Sequence, residues 1–123
     1  MRKTARFIST ASAIATLLGA LSAAPQLAIA ADADMVSQGK AIAFDRKKGN
    51  CLACHHIDGG DLPGNIGPAL VAMKARFPDK AKLRAQIWDA TAKNPNTMMP
   101  PFGKHEIITD AEIDKVVEFI YSL

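Results

Sequence analysis

This chain of 123 residues contains only two cysteines, Cys51 and Cys54, and His55 follows directly after the second. They lie too close together for a disulfide that restrains a long loop, so their spacing indicates site chemistry. Cys-x-x-Cys-His is the attachment motif for c-type haem, because each thiol can form a thioether with one vinyl group while the adjacent imidazole binds iron. The motif predicts one covalently bound haem c, held by Cys51 and Cys54, with His55 as an axial ligand.

Two other kinds of site also use paired cysteines. A thioredoxin-like redox pair is expected in a βαβ context, and no strand-like alternating run precedes Cys51. A structural zinc site needs four ligands, and the chain has no further cysteines to supply them. Both alternatives fit the surrounding sequence less well than haem attachment.

The N-terminal segment has the pattern of a secretory signal peptide. Residues 1–6 carry three positive charges, residues 7–31 carry none, and Ala28-Ile29-Ala30 resembles a small-residue cleavage site. We therefore expect residues 1–30 to be removed and residues 31–123 to form the folded domain. Because Pro25 interrupts residues 7–31, this apolar segment would make a poor transmembrane helix, and no membrane anchor is expected.

The charge balance excludes nucleic acid as an expected partner. The chain has 15 Lys and Arg against 12 Asp and Glu, but Arg2, Lys3 and Arg6 lie in the predicted signal peptide. Residues 31–123 therefore carry 12 charges of each sign. A nucleic-acid-binding protein is expected to keep a surplus of Lys and Arg after processing.

The spacing of apolar residues predicts helices and no strands. Helical stripes run through residues 34–48, through residues 80–92 with Leu83, Ile87 and Trp88, and through the C-terminal segment. Thr109 and Glu112 form a capping-box pattern at the start of the C-terminal helix. These patterns predict an all-α architecture with long loops.

Gly39 interrupts the first predicted helix. Glycine is unfavourable inside a helix, so a close approach by another helix is one explanation, and the C-terminal helix is the best candidate for that approach. A merely tolerated glycine is the alternative.

A loop rich in glycine and proline follows the cysteine motif over residues 58–68. A ligating imidazole needs an acceptor for its second nitrogen, because that contact fixes the ring and raises its basicity. The carbonyl of Pro68, at the end of this stiff segment, is the predicted acceptor for His55.

Met99 is the predicted sixth ligand of the iron. It precedes Pro100 and Pro101, which restrict its backbone and present its thioether rigidly. Met98 is the local competitor for this role, although it lies one residue further from the proline pair. His105 is a second alternative, because a bis-histidine site would also give a six-coordinate iron.

With these motifs in place, the chain resembles the SoxX family, the small monohaem cytochrome subunits of the SoxAX complex of thiosulfate oxidation. The resemblance covers about residues 36–123. Four segments carry it: residues 49–55 (GNCLACH), the Gly67-Pro68 pair, residues 83–89 (LRAQIWD) and residues 94–105 (NPNTMMPPFGKH).

The resemblance implies a periplasmic class I cytochrome c domain over residues 31–123, with its N- and C-terminal helices packed together around the haem. In the family, the matching residues Cys51 and Cys54 anchor the haem, and His55 and Met99 are its axial ligands. The implied partners are a larger SoxA-type haem subunit, a SoxYZ-type carrier protein and a downstream cytochrome c. Because no further cysteine is present, the contact with the larger subunit is expected to be noncovalent.

The implied role is electron transfer within an oxidoreductase complex of the L-cysteine S-thiosulfotransferase type, with no catalytic residue in this chain. We expect an apolar docking surface at the haem edge, formed in part by Pro101 and Phe102. Two alternatives stay open. One is a generic soluble electron shuttle for an oxidase or dehydrogenase, and the other is a ligand-binding or sensing haem protein.

Overall fold

The computed structural model describes residues 24–123, with side chains from residue 32 onwards. Four α-helices lie in this part of the chain: α1 (Ala24–Phe44), α2 (Met73–Arg76), α3 (Lys80–Trp88) and α4 (Asp110–Tyr121). Two short 3-10 helices, Cys51–Ala53 and Ala90–Ala92, complete the regular structure, and no strand occurs among the described residues. The predicted all-α fold class is therefore confirmed. Residues 1–23 of the predicted signal peptide lie outside the described part.

Helix α1 has different boundaries from the predicted ones. It begins at Ala24, upstream of the predicted cleavage site, and ends at Phe44, before the predicted end at residue 48. The C-terminal difference has a local cause. The side chain of Asp45 accepts a hydrogen bond from the backbone N–H of Lys47 (2.8 Å), and its carbonyl accepts one from Asn50 (2.9 Å). These bonds hold the chain in a turn that leads directly to Cys51.

Helices α1 and α4 pack against each other at Gly39. A Cβ atom at this position would lie 1.9 Å from the carbonyl oxygen of Lys115 and 2.9 Å from the Cβ of Phe119. Nearby, the rings of Phe44 and Phe119 meet edge to face with centroids 5.8 Å apart. The close helix approach predicted from Gly39 is confirmed.

The N-terminus of α4 carries the predicted capping box. The Thr109 hydroxyl accepts a hydrogen bond from the backbone N–H of Glu112 (3.2 Å), and the Glu112 carboxylate accepts one from the backbone N–H of Thr109 (3.0 Å). Lys48 contacts the same carboxylate at 2.5 Å. The Lys48 hydrogen bond, together with those from Thr109, lowers the pKa of Glu112 to about 2. The turn after α1 is therefore tied to the start of α4.

Helix α3 is shorter than predicted. Asp79 caps its N-terminus by accepting a hydrogen bond from the backbone N–H of Ala81 (2.9 Å). The helix ends at Trp88 because Asp89 leaves the helical conformation and uses its side chain to cap the next 3-10 helix, through the N–H of Thr91 (3.0 Å). Only part of the predicted apolar face is buried. Leu83 and Ile87 lie in the core, whereas Trp88 is 37% exposed.

The core lies between α1, α3, α4 and the loops that follow the cysteine motif. Its most deeply buried large side chains are Ile57, Met73 and Ile113. Val116, Val117 and Ile120 add a continuous buried face on α4. Over the described residues, no helix has the length and apolar character needed to cross a membrane.

Candidate haem site

A tight turn brings the two cysteines and the adjacent histidine together. Asn50 adopts a left-handed conformation with φ 48°, and the 3-10 helix Cys51–Ala53 follows it. The carbonyl oxygen of Cys51 accepts backbone hydrogen bonds from Cys54 (3.2 Å) and His55 (2.9 Å). Both cysteines are free thiols and both are half-buried. Two thiols and an imidazole are thus presented from a single turn.

The His55 ring is held from one side by the loop that follows it. Its Nδ1 lies 2.7 Å from the carbonyl oxygen of Pro68. Because a carbonyl can only accept, Nδ1 carries the proton and donates it, which leaves Nε2 free to bind a metal. Gly67 packs against the ring itself, since a Cβ there would lie 2.4 Å from Cε1 and 2.6 Å from Nδ1. The backbone at residues 67–68 therefore fixes the ring.

A cavity of about 710 Å³ adjoins this turn. It is lined by the predicted site residues Cys51, Cys54, His55, Pro68 and Met99. Apolar side chains make up much of the remaining wall: Leu70, Met73, Phe77, Leu83, Ile87, Phe102, Ile108, Val116 and Ile120. The volume falls within the range of cofactor pockets, about 300–1,000 Å³.

The residues around the cavity fit a haem group. Two half-buried thiols, an imidazole with its second nitrogen already bonded and a thioether all line one cavity with a largely apolar wall. This is the donor set of a c-type haem with histidine and methionine ligation. An apolar wall also suits the flat hydrophobic face of a porphyrin, which gains free energy by leaving water.

The three candidates for the sixth ligand are placed differently. Met99 and Met98 both line the cavity, but Met99 is half-buried and Met98 is 75% exposed. The backbone N–H of Met99 donates to the hydroxyl of Thr97 (3.2 Å). His105 is exposed and is not part of the cavity wall. The arrangement favours Met99, in agreement with the constraint that Pro100 imposes.

The pKa of the Cys51 thiol is raised to about 11, chiefly because burial disfavours the thiolate. Redox-active Cys-x-x-Cys pairs depend on a shift in the opposite direction, to a low thiol pKa. The environment of Cys51 therefore does not resemble that of a thioredoxin-like redox pair.

A structural zinc site would need further protein ligands close to Cys51 and Cys54. Throughout the described residues, no group of three or more His, Cys, Asp and Glu side chains is placed to hold a metal ion. Within residues 32–123, Cys51 and Cys54 therefore lack the further ligands that a structural zinc site uses.

The expected docking surface at Pro101 and Phe102 is wrong. Pro101 is buried, and Phe102 is only 8% exposed because it packs into the core beside the cavity. Three large, exposed apolar side chains line the cavity: Ile66 (58% exposed), Met98 (75%) and Ile107 (43%).

Cationic side chains at the cavity were not predicted as site residues. Arg46 and Lys47, which follow α1, line the cavity, as does Arg76 at the end of α2. Arg76 donates a hydrogen bond from Nη1 to the carbonyl oxygen of Ala69 (2.8 Å). Local sequence carries no signal for Arg76, because the fold alone brings α2 to the cavity.

Comparison with known proteins adds three findings. The family model described as cytochrome c oxidase, cbb3-type, subunit III matches residues 34–120. A chain in the crystal structure of SoxXA from P. pantotrophus is similar, with a TM-score of 0.63 and 27% identity, over 70% of this chain and 79% of that one. An uncharacterized lipoprotein of Aquifex aeolicus (strain VF5) is 34% identical over 76 residues, 61% of this chain.

The chain spans only 37% of the length of the Aquifex lipoprotein that it matches. The similarity to the SoxXA structure confirms the resemblance to the SoxX family, and together with the family match it confirms the small class I cytochrome c fold.

Proposed function

The chain belongs to the cytochrome c oxidase, cbb3-type, subunit III family, and from this membership we propose that it is an electron-transfer subunit carrying one haem c. The observation that carries the proposal is the cavity that brings together Cys51, Cys54, His55 and Met99. When bound, the haem iron supplies one-electron chemistry by changing between its ferric and ferrous states.

Each residue has a distinct task in this proposal. Cys51 and Cys54 would attach the haem through thioethers, and His55 and Met99 would be the two protein ligands of the iron. The Pro68 carbonyl holds the His55 ring by accepting its Nδ1–H, which fixes the ring orientation and raises its basicity. The thioether of Met99 favours the ferrous state and so raises the reduction potential.

The same ligand set limits what the chain does alone. With both sulfurs in thioethers, no free thiolate remains to attack a substrate or to carry a persulfide. With His55 and Met99 as its protein ligands, the iron would offer no vacant position to an external ligand. The chain is therefore a relay for electrons, which distinguishes it from a ligand-sensing haem protein.

The similarity to the SoxXA structure supports a more specific role. We propose that residues 1–30 direct the chain to the periplasm and that residues 31–123 bind a SoxA-type haem subunit noncovalently. The complex would belong to the L-cysteine S-thiosulfotransferase type of oxidoreductase and act on a SoxYZ-type carrier.

In that reaction a thiol and thiosulfate form one S–S bond and release one proton and two electrons. A single haem accepts one electron at a time, so this chain must pass electrons to a downstream cytochrome c between steps.

The surface for partner contact is proposed at the exposed part of the cavity wall. Ile66, Met98 and Ile107 give it apolar character, and residues 31–123 carry no net formal charge. Apolar contact and shape are therefore the expected main source of partner affinity, and Arg46, Lys47 and Arg76 on the same wall would add only a local positive charge.

The test mixes the purified haem-loaded chain with thiosulfate and a thiol-bearing carrier protein, with and without a SoxA-type subunit. We expect reduction of this haem and a carrier mass increased by one thiosulfonate group only when the larger subunit is present. Thiosulfonate formation by this chain alone would contradict the proposal.

A generic electron shuttle is the second candidate function, and the family description, which names an oxidase, supports an oxidase as its electron acceptor. The two candidates differ in their partners. Stable copurification of a second haem protein with this chain supports the subunit role, whereas rapid electron exchange with an oxidase and no stable partner supports the shuttle.

A further inference from the structure

We propose that Trp88 is a positioning residue for the sixth ligand, because it fixes the loop that carries Met99 against the start of α4. The inference rests on the proposed role of Met99. Trp88 lies at the end of α3 and has no place in the haem-binding motif, and its side chain is not part of the cavity wall.

Backbone hydrogen bonds make the first connection. The N–H groups of Gly103 and Lys104 both donate to the carbonyl oxygen of Trp88, at 3.0 and 3.2 Å. Pro100 and Pro101 lie between this anchor and Met99, and their fixed φ angles make the intervening chain stiff. Because this chain is stiff, fixing the position of residue 103 also restricts the position of Met99.

Direct packing makes the second connection. A Cβ atom on Gly103 would lie 2.0 Å from Cδ1 and 2.2 Å from Nε1 of the Trp88 indole. The loop backbone thus rests on the ring with no room for any side chain between them. Trp88 is 37% exposed, so its ring contacts the Gly103 loop near the surface and is not mainly a residue of the hydrophobic core.

A hydrogen bond to α4 orients the Trp88 ring. Its Nε1–H donates to Oδ1 of Asp110, the first residue of α4, at 3.1 Å. The same oxygen accepts a hydrogen bond from Nη2 of Arg84 (3.0 Å), whose Nε donates to Asp114 (2.6 Å). Arg84 and Trp88 both lie on α3, so this network joins α3 to the first turn of α4 and fixes the face on which Gly103 rests.

Lys104 adds a tether on the same side. Its ammonium group lies 3.0 Å from Oδ2 of Asp89, the residue that follows Trp88. Residues 103 and 104 are therefore connected to residues 88 and 89 through both backbone and side chains. If this anchor loosens, Met99 should be displaced more easily from the iron by an added ligand.

The test is a cyanide titration of the ferric, haem-loaded full chain, followed by loss of the weak sulfur-to-iron charge-transfer band. Trp88→Phe keeps an aromatic ring beneath Gly103 but removes the hydrogen bond to Asp110. We expect it to raise cyanide affinity about fivefold, the ratio that loss of one hydrogen bond gives. Gly103→Ala should raise the affinity by more, because its Cβ overlaps the indole.

Two further variants separate positioning from general weakening. Asp110→Asn keeps an acceptor for the indole and should leave cyanide affinity near the wild-type value, whereas Asp110→Ala should behave like Trp88→Phe. Tyr121→Phe is the matched control, because it removes an aromatic side-chain hydrogen bond to Pro78 at the other end of α4 (3.4 Å). It should leave cyanide affinity unchanged.

The outcomes are distinguishable. Absence of the charge-transfer band in the wild-type chain would overturn the proposed ligation by Met99 itself. A normal band with unchanged cyanide affinity in Trp88→Phe, or an equal increase in Tyr121→Phe, would overturn only the positioning role of Trp88.

Discussion

The Nδ1 atom of His55 lies 2.7 Å from the carbonyl oxygen of Pro68, and Gly67 packs against the same ring. This contact is made by backbone, so it cannot be deleted by a side-chain substitution. It can be disturbed through Gly67, where a Cβ atom would lie 2.4 Å from the ring.

Gly67→Ala should therefore displace the imidazole and reduce the low-spin haem fraction, measured by absorption and electron paramagnetic resonance. Gly60→Ala is the matched control from the same loop. Its closest Cβ contact, at 2.3 Å, is with the end of the flexible Leu52 side chain, which can move aside. A Gly67→Ala protein with wild-type spectra would contradict the role given to this backbone.

Met99→Ala should abolish the sulfur-to-iron charge-transfer band and lower the reduction potential, because a thioether ligand stabilises ferrous iron. Met98→Ala is the natural control, since Met98 is adjacent, has the same side chain and is 75% exposed. It should change neither property. The reverse result would assign the ligand role to Met98.

The mature protein should begin near Ala31 and have the mass of that chain plus one haem. Its colour should survive extraction with acidic acetone, because thioether bonds to Cys51 and Cys54 are covalent. Replacement of both cysteines by alanine should make any bound haem extractable. A wild-type mass equal to the bare chain would contradict covalent attachment.

Gly39→Ala should strongly destabilise the fold, because its Cβ would meet the Lys115 carbonyl at 1.9 Å and backbone cannot move aside cheaply. We expect a loss of about 1–3 kcal/mol or more in the free energy of unfolding, the usual cost of overpacking. Urea unfolding measures it. Ser37→Ala, at an exposed position on the same helix, should stay within about 0.5 kcal/mol of wild type.

Stability should fall in acid partly through Glu112. Its pKa is lowered from 4.5 to about 2 in the folded chain, chiefly by Lys48, so its stabilising contribution is present above pH 4.5. That contribution is lost as the pH falls from 4.5 towards 2, because the unfolded chain then binds the proton first.

Glu112→Gln keeps the capping-box acceptor but cannot titrate. The difference in unfolding free energy between wild type and Glu112→Gln should therefore shrink over this pH interval. Lys48→Gln should remove most of the same pH dependence. A constant difference between pH 5 and pH 2 would show that the Lys48 contact does not act in solution.

Local patterns were sufficient to predict much of this fold. The capping box at Thr109 follows from short-range spacing, and a glycine inside the α1 pattern indicated a close approach by another helix; both occur in the structure. The helix ends were less predictable. Asp45 and Asp89 end α1 and α3 through side-chain hydrogen bonds to nearby backbone, which compete with helical pairing over only two residues.

The candidate site was predictable where residues adjoin in sequence and unpredictable where the fold brings them together. The Cys51 turn is local, and the carbonyl oxygen of Pro68, 13 residues after His55, lies 2.7 Å from the His55 Nδ1. Tertiary packing determines three other features: the burial of Phe102, the position of Arg76 at the cavity and the contact of Gly103 with Trp88. The polarity or size of these residues alone does not predict such contacts.

The contact of Gly39 with Lys115 and Phe119 also sets an order of events during synthesis. Gly39 lies early in the folded domain, whereas its two partners lie near the end of the chain. Helix α1 therefore lacks its main packing partner until α4 has been synthesised. Until then Val116 and Ile120 of α4 cannot complete the cavity wall beside Cys51 and Cys54, so the two thiols stay accessible from that side.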